Sequence, residues 1–95
     1  MNRVFWSLFY DRDVTAYLRS LRGTEVGQTL HKTIVALQFE ADPSVGHDAI
    51  PERPNRYFVV VANHRITIEI RPDRKAIGIL LIERANFCAT TWKNC

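Results

Sequence analysis

The stretch RYFVVVANHRITIEIRPDRKAIGILLIE, residues 56–83, decides the fold. It holds three apolar, β-branched runs, RYFVVVA, RITIEI and AIGILLIE, separated by Asn63-His64 and by Pro72-Asp73-Arg74-Lys75, and it reads as an antiparallel meander. With Asn63-His64 as the hairpin turn, Ala62 faces Arg65, Val60 faces Thr67, Phe58 faces Glu69 and Arg56 faces Arg71. The other side then carries Tyr57, Val59, Val61, Ile66, Ile68 and Ile70, and a loop over Pro72 to Lys75 adds Ile77, Ile79 and Leu81. Burying such a face, at roughly 25 cal/mol per Å² of apolar surface, is the main favourable term for a small domain and fixes strand parity.

Upstream, residues 40–54 (EADPSVGHDAIPERP) hold three of the chain's four prolines, which defeats helix and central strand and leaves a long loop. Before it, Val26, Leu30, Ile34 and Leu37 form a one-sided helical stripe that Thr24 can cap. Val14, Leu18 and Leu21, with Tyr17 beside them, mark a shorter helix opened by Asp11 or Asp13 and closed by Gly23. Residues 3–10 (RVFWSLFY) read as a first strand. The order β-α-α-loop-β-β-β predicts an α+β fold with a helical hairpin packed on one face of a small antiparallel sheet. A single domain is expected over 1–87, with 88–95 a C-terminal tail.

The chain has 95 residues, 46% of them hydrophobic and 24% charged, a composition that excludes a disordered or low-complexity chain. Its net charge of +3 is unevenly spread, −1 over residues 1–54 and +4 over 55–95, so the basic surface is C-terminal. Cys88 and Cys95 would close only a short terminal loop and read as free thiols. No apolar stretch reaches the ~18 residues of a membrane span and the N-terminus lacks signal-peptide features, so a cytoplasmic location is expected. No zinc spacing, phosphate loop, G-x-S-x-G or H-E-x-x-H occurs, and we expect neither metal nor nucleotide cofactor.

On the polar side of the meander the parity gathers Arg56, Arg65, Arg71 and Arg84 around Glu69 and Thr67, with Arg74 and Lys75 in the adjoining loop. Two readings stand: a solvated face whose charges pair across strands, or a concavity whose guanidinium forks hold phosphate. Arginines without matching carboxylates favour the second. Histidine is the side-chain type suited to proton transfer near neutrality, and His64 adjoins Arg65, so it is a candidate acid or base. Glu69 is the candidate base, although arginines keep a carboxylate ionised. His47 and Glu52 could swing over from the long loop, and His31 reads as surface. Phe5, Trp6, Phe9 and Tyr10 read as core rather than as base-stacking residues.

FYDRDVTAYLRSL, IVALQFEADPSVG and above all RYFVVVANHRITIEI, with arginine just after the hairpin tip, resemble the RelE/ParE superfamily of bacterial toxins over residues 3–84. The resemblance implies the toxin of a type II toxin-antitoxin pair, with a cognate antitoxin as partner. In the RelE-like branch it implies metal-independent, ribosome-dependent cleavage of mRNA, with the ribose 2′-OH driven onto the adjacent phosphate. Arg65 and Arg84 would then hold the scissile phosphate, with Glu69 and His64 as candidate proton carriers and Arg56, Arg71, Arg74 and Lys75 as RNA contacts. The tyrosine or histidine that active relatives place past the last strand is absent from Glu83-Arg84-Ala85-Asn86-Phe87. That departure raises the ParE-like alternative, inhibition of DNA gyrase by binding, and a third, an inactive antitoxin-binding module.

Overall fold

The computed structural model describes residues 4–84. The tail 88–95, with Cys88, Trp92 and Cys95, lies outside them. The elements are β1 (Ser7–Tyr10), α1 (Arg12–Ser20), α2 (Glu25–Ala36), a short β2 (Asp48–Ala49), β3 (Arg56–Val61), β4 (His64–Arg71) and β5 (Ala76–Arg84). They form one sheet in the order β1-β5-β4-β3-β2. The α+β class and the helical hairpin on one face hold, while the sheet is mixed rather than purely antiparallel, because β1 runs parallel to β5.

Both helices begin where side chains supply acceptors. Asp11 accepts from the Asp13 amide at 3.2 Å and Thr24 from the Gly27 amide at 3.0 Å. Gly23, at φ 83°, makes the turn between them. Gly27 lies so close to the end of α1 that a Cβ there would stand 2.3 Å from the Leu21 carbonyl oxygen. The hairpin lays Val14, Leu30, Ile34 and Leu37 on Val59, Ile66, Ile68, Ile70, Ile77 and Ile79, which are the buried core with Trp6. Val26 is exposed, so the α2 stripe is shorter than its periodicity predicts. Of the four aromatics in residues 5–10 only Trp6 is buried; Phe5, Phe9 and Tyr10 are exposed, which corrects their expected core role.

The hairpin turn is Ala62-Asn63, not Asn63-His64. Both residues have positive φ, 51° and 59°, and Val61 pairs with His64. These angles give a turn whose twist matches the flanking strands, a conformation costly for alanine. Replacing Ala62 by asparagine is expected to stabilise the domain by about 0.5–1 kcal/mol, read as a Tm raised by a few degrees. The one-residue slide moves every cross-strand pair by two, so Arg56 faces Glu69, Phe58 faces Thr67 and Val60 faces Arg65, while each residue keeps its side of the sheet.

Strand β5 departs further. Ile68 pairs with Ile79 and Thr67 with Leu81, so Leu80 is an extra, bulged residue. Beyond it the alternation inverts. Leu81 turns to the open face and is exposed, whereas Ile82 packs against the core. Glu83 pairs with Arg65, and Arg84 pairs with His64.

Candidate nucleic-acid interface

The side of the sheet away from the helices carries two separate arginine–carboxylate clusters. At the hairpin end, Arg65 donates from Nε (3.0 Å) and Nη2 (2.8 Å) to Oε1 of Glu83, and its guanidinium carbon lies 4.5 Å from the centroid of the Phe58 ring. At the other end Glu69 is shared: Arg56 Nε donates to Oε2 at 3.0 Å, and Arg71 donates from Nε to Oε1 at 2.7 Å. The hydrogen bond from Arg56, then that from Arg71, holds the Glu69 carboxyl below the usual carboxylate range. The expectation of arginines without matching carboxylates is thus corrected for Arg56, Arg65 and Arg71.

Glu69 is ionised at neutral pH and cannot donate a proton there. It also lies four residues along β4 from Arg65, about 13 Å of strand, and does not share a phosphate with it. Because its folded pKa is depressed, Glu69 contributes stability that is present above the unfolded carboxylate pKa of ~4.3 and is lost as pH falls through the lower folded value. Glu69→Gln is therefore expected to lower stability by about 1 kcal/mol at pH 7, with the gap to the parent closing below about pH 4 in urea unfolding series.

His64 is corrected from a turn-tip position to the first residue of β4, on the helix side, only 5% exposed. Its Nδ1 stands 2.7 Å from the Ala62 carbonyl and its Nε2 stands 2.8 Å from the Tyr17 hydroxyl. A carbonyl only accepts, so Nδ1 carries the proton and in the neutral ring Nε2 accepts from Tyr17. The ring joins α1 to the hairpin and faces away from Arg65. Arg84, cross-strand from His64, is likewise on the helix side, which corrects the expectation that Arg65 and Arg84 share the open face.

The remaining candidates are peripheral. Arg74 and Lys75 sit in the Pro72–Lys75 connection, Arg74 being 71% exposed along its side chain and Lys75 lying with Nζ 5.6 Å from the Trp6 ring centroid. In the long loop, His47 precedes β2, which pairs with β3 at the sheet edge, and Glu52 is exposed. His31 is exposed on α2. Sequence reasoning missed Glu83 as the partner of Arg65. The charge complementarity was visible, but the parity that joins them depends on the bulge. Among the described residues no group of histidine, cysteine and carboxylates could hold a metal ion. No helix there is long and apolar enough to cross a membrane.

A strand, a helical hairpin and a meander wrapped into one mixed sheet define the RelE toxin fold, and the chain has that fold. It superposes on the isolated Escherichia coli RelE toxin with a TM-score of 0.74 at 16% identity, over 88% of each chain. The archaeal RelE of the RelE–RelB complex from Pyrococcus horikoshii gives 0.72 at 15% identity, over 88% of this chain and 99% of that one. The intact E. coli RelBE toxin–antitoxin complex gives 0.71 at 17%, over 85% and 98%. No family model matches the sequence. No curated protein matches it either.

Proposed function

We propose that this chain is the toxin of a type II toxin-antitoxin pair and that it stops translation by attacking mRNA on the ribosome, with the open sheet face as the RNA surface. The observation that carries this reading is Arg65, a guanidinium fork on the open face just after the hairpin tip of a RelE-like fold. Cleavage would form a bond from O2′ to phosphorus and break the bond from phosphorus to O5′, leaving a cyclic phosphate and, once the departing O5′ takes a proton from water, a 5′-hydroxyl. Arg65 would offset charge on the crowded phosphorus in the transition state. A phosphate that takes the Arg65 fork displaces Glu83, whose freed carboxylate can then accept the 2′-OH proton. Arg56 and Arg71 would contribute positive field rather than chemistry.

The partner follows from the same reading. In two of the similar structures, the P. horikoshii and E. coli complexes, RelE is bound to its RelB antitoxin. Here a cavity of about 510 Å³ between the helices is walled by Leu18 and Leu21 and rimmed by Arg19 and Arg22. It suits an antitoxin segment with an apolar anchor and acidic flanks. A second reading, inhibition of DNA gyrase by binding alone, is favoured by one observation: His64 and Arg84 face away from Arg65. Induced expression decides between them. Growth arrest with mRNA cut within codons supports the ribonuclease. Arrest with intact mRNA and loss of supercoiling supports the gyrase reading, and harmless expression with no bound antitoxin removes both.

A further inference from the structure

The open face has a concave site far from Arg65. Where β1, β5 and β4 lie side by side, a cavity of about 260 Å³ opens between Phe9 of β1 and Arg71 of β4, with Arg74 at its rim. Its floor is Ala76 and Gly78. A Cβ on Gly78 would already be 3.4 Å from Leu80 Cδ2, so the missing side chain is what leaves room above the backbone. Phe9 is 61% exposed, an unusual placement for a phenylalanine that packs nothing in the core. The cavity is smaller than the roughly 300 Å³ at which drug-sized pockets begin, and it fits one planar ring.

Arg71 and Arg74 bring two guanidinium groups to this ring, beside the carboxylates of Glu69, which Arg56 and Arg71 hold, and of Asp11, which accepts from the Asp13 amide. Arg71 spends Nε and Nη2 on Glu69 Oε1, while its side chain remains 51% exposed. Arg74 has no described ion-pair partner nearer than Asp73 Oδ2 at 4.0 Å, and both of those side chains are more than 70% exposed. An aromatic wall, a glycine floor and two guanidinium groups together match a nucleotide: the base stacks on the ring and the phosphate meets the forks.

We infer that this cavity is a second RNA subsite, holding an unstacked nucleobase against Phe9 with its phosphate on Arg71 and Arg74. The inference rests on the RNA reading above and adds to it a contact that the reacting phosphate does not need. Arg71 lies six residues along β4 from Arg65, about 20 Å of strand, so the two sites engage different nucleotides of one strand. The site reads the presence of a base, not its identity, since stacking is tolerant of sequence.

The test is equilibrium binding of a fluorescent single-stranded RNA of mixed sequence at low salt. Phe9→Ala is expected to weaken binding about tenfold or more, Phe9→Tyr to retain it, and Arg74→Ala to flatten the salt dependence by about one phosphate. Because Phe9 and Arg74 are exposed, these variants keep the fold, which circular dichroism checks. If Phe9→Ala binds as the parent does while Arg65→Ala loses affinity, the subsite is overturned and the RNA reading stands. If the parent binds no RNA, the subsite is overturned, while the ribosome-dependent reading is decided by the expression test above. If Phe9→Ala leaves RNA binding intact but releases a bound antitoxin, the cavity is a protein contact and the inference is overturned.

Discussion

Cells expressing the Arg65→Ala chain are expected to grow at the uninduced rate, with mRNA cleavage down by about 10²–10³-fold or more, as for other losses of one donor to a developing anion. Lysine at the same position keeps the charge but not the fork, and is expected to recover only part of the activity. Arg84→Ala, on the helix side, is expected to cleave nearly as well as the parent, which distinguishes the two arginines that the sequence groups together. Arg65→Ala gives up its contacts with Phe58 and Glu83 on a surface where such pairs are worth about 1 kcal/mol, so the variant still folds. Full toxicity from Arg65→Ala, or a loss confined to Arg84→Ala, would remove the open face as the reacting surface.

The largest stability effect is expected at Gly27. In an ordinary helix Gly→Ala gains about 1 kcal/mol. Here the new Cβ would stand 2.3 Å from the Leu21 carbonyl oxygen and 3.0 Å from its carbon, both backbone atoms that no rotamer change can move. Relief requires the two helices to part, and parting them loosens Leu30 and Ile34 from the sheet. We expect Gly27→Ala to cost about 3 kcal/mol and to lower Tm by about 10–20 °C. A control at Gly23 separates sterics from turn geometry. No atom lies within 4 Å of a Cβ placed there, so Gly23→Ala is penalised only through its φ of 83°. A Gly27→Ala chain as stable as the parent would mean that the close helix approach does not exist in solution.

Most of the fold was legible because it rests on parity and periodicity. Ile66, Ile68 and Ile70 alternate with Arg65, Thr67 and Glu69, and this assigns their faces whichever residues form the turn. Sliding the turn from Asn63-His64 to Ala62-Asn63 therefore left the faces intact and changed only the pairs. The pairs decide the electrostatics, however: Arg56 meets Glu69 and not Arg71. The composition of AIGILLIE conceals the bulge, since Ile79 to Ile82 are four consecutive aliphatic residues with no polar residue to reveal the inversion. Strand β2, at two residues, is too short to leave a periodic signal, and nothing local in Ser7–Tyr10 distinguishes a parallel from an antiparallel neighbour. The site was legible as a set of side chains but not as an arrangement, because the charges nearest Arg65 follow from Leu80.

That extra leucine also has an evolutionary meaning. A homologue lacking that residue would lose the bulge and keep Glu83 beside Arg65, whereas one that paired a residue here regularly would turn Arg84, not Glu83, to the face of Arg65 without replacing any side chain. The sign of the charge beside Arg65 thus depends on whether one aliphatic residue is counted into the ladder or left out of it, and aligned columns that ignore the bulge would compare residues from opposite sides of the molecule.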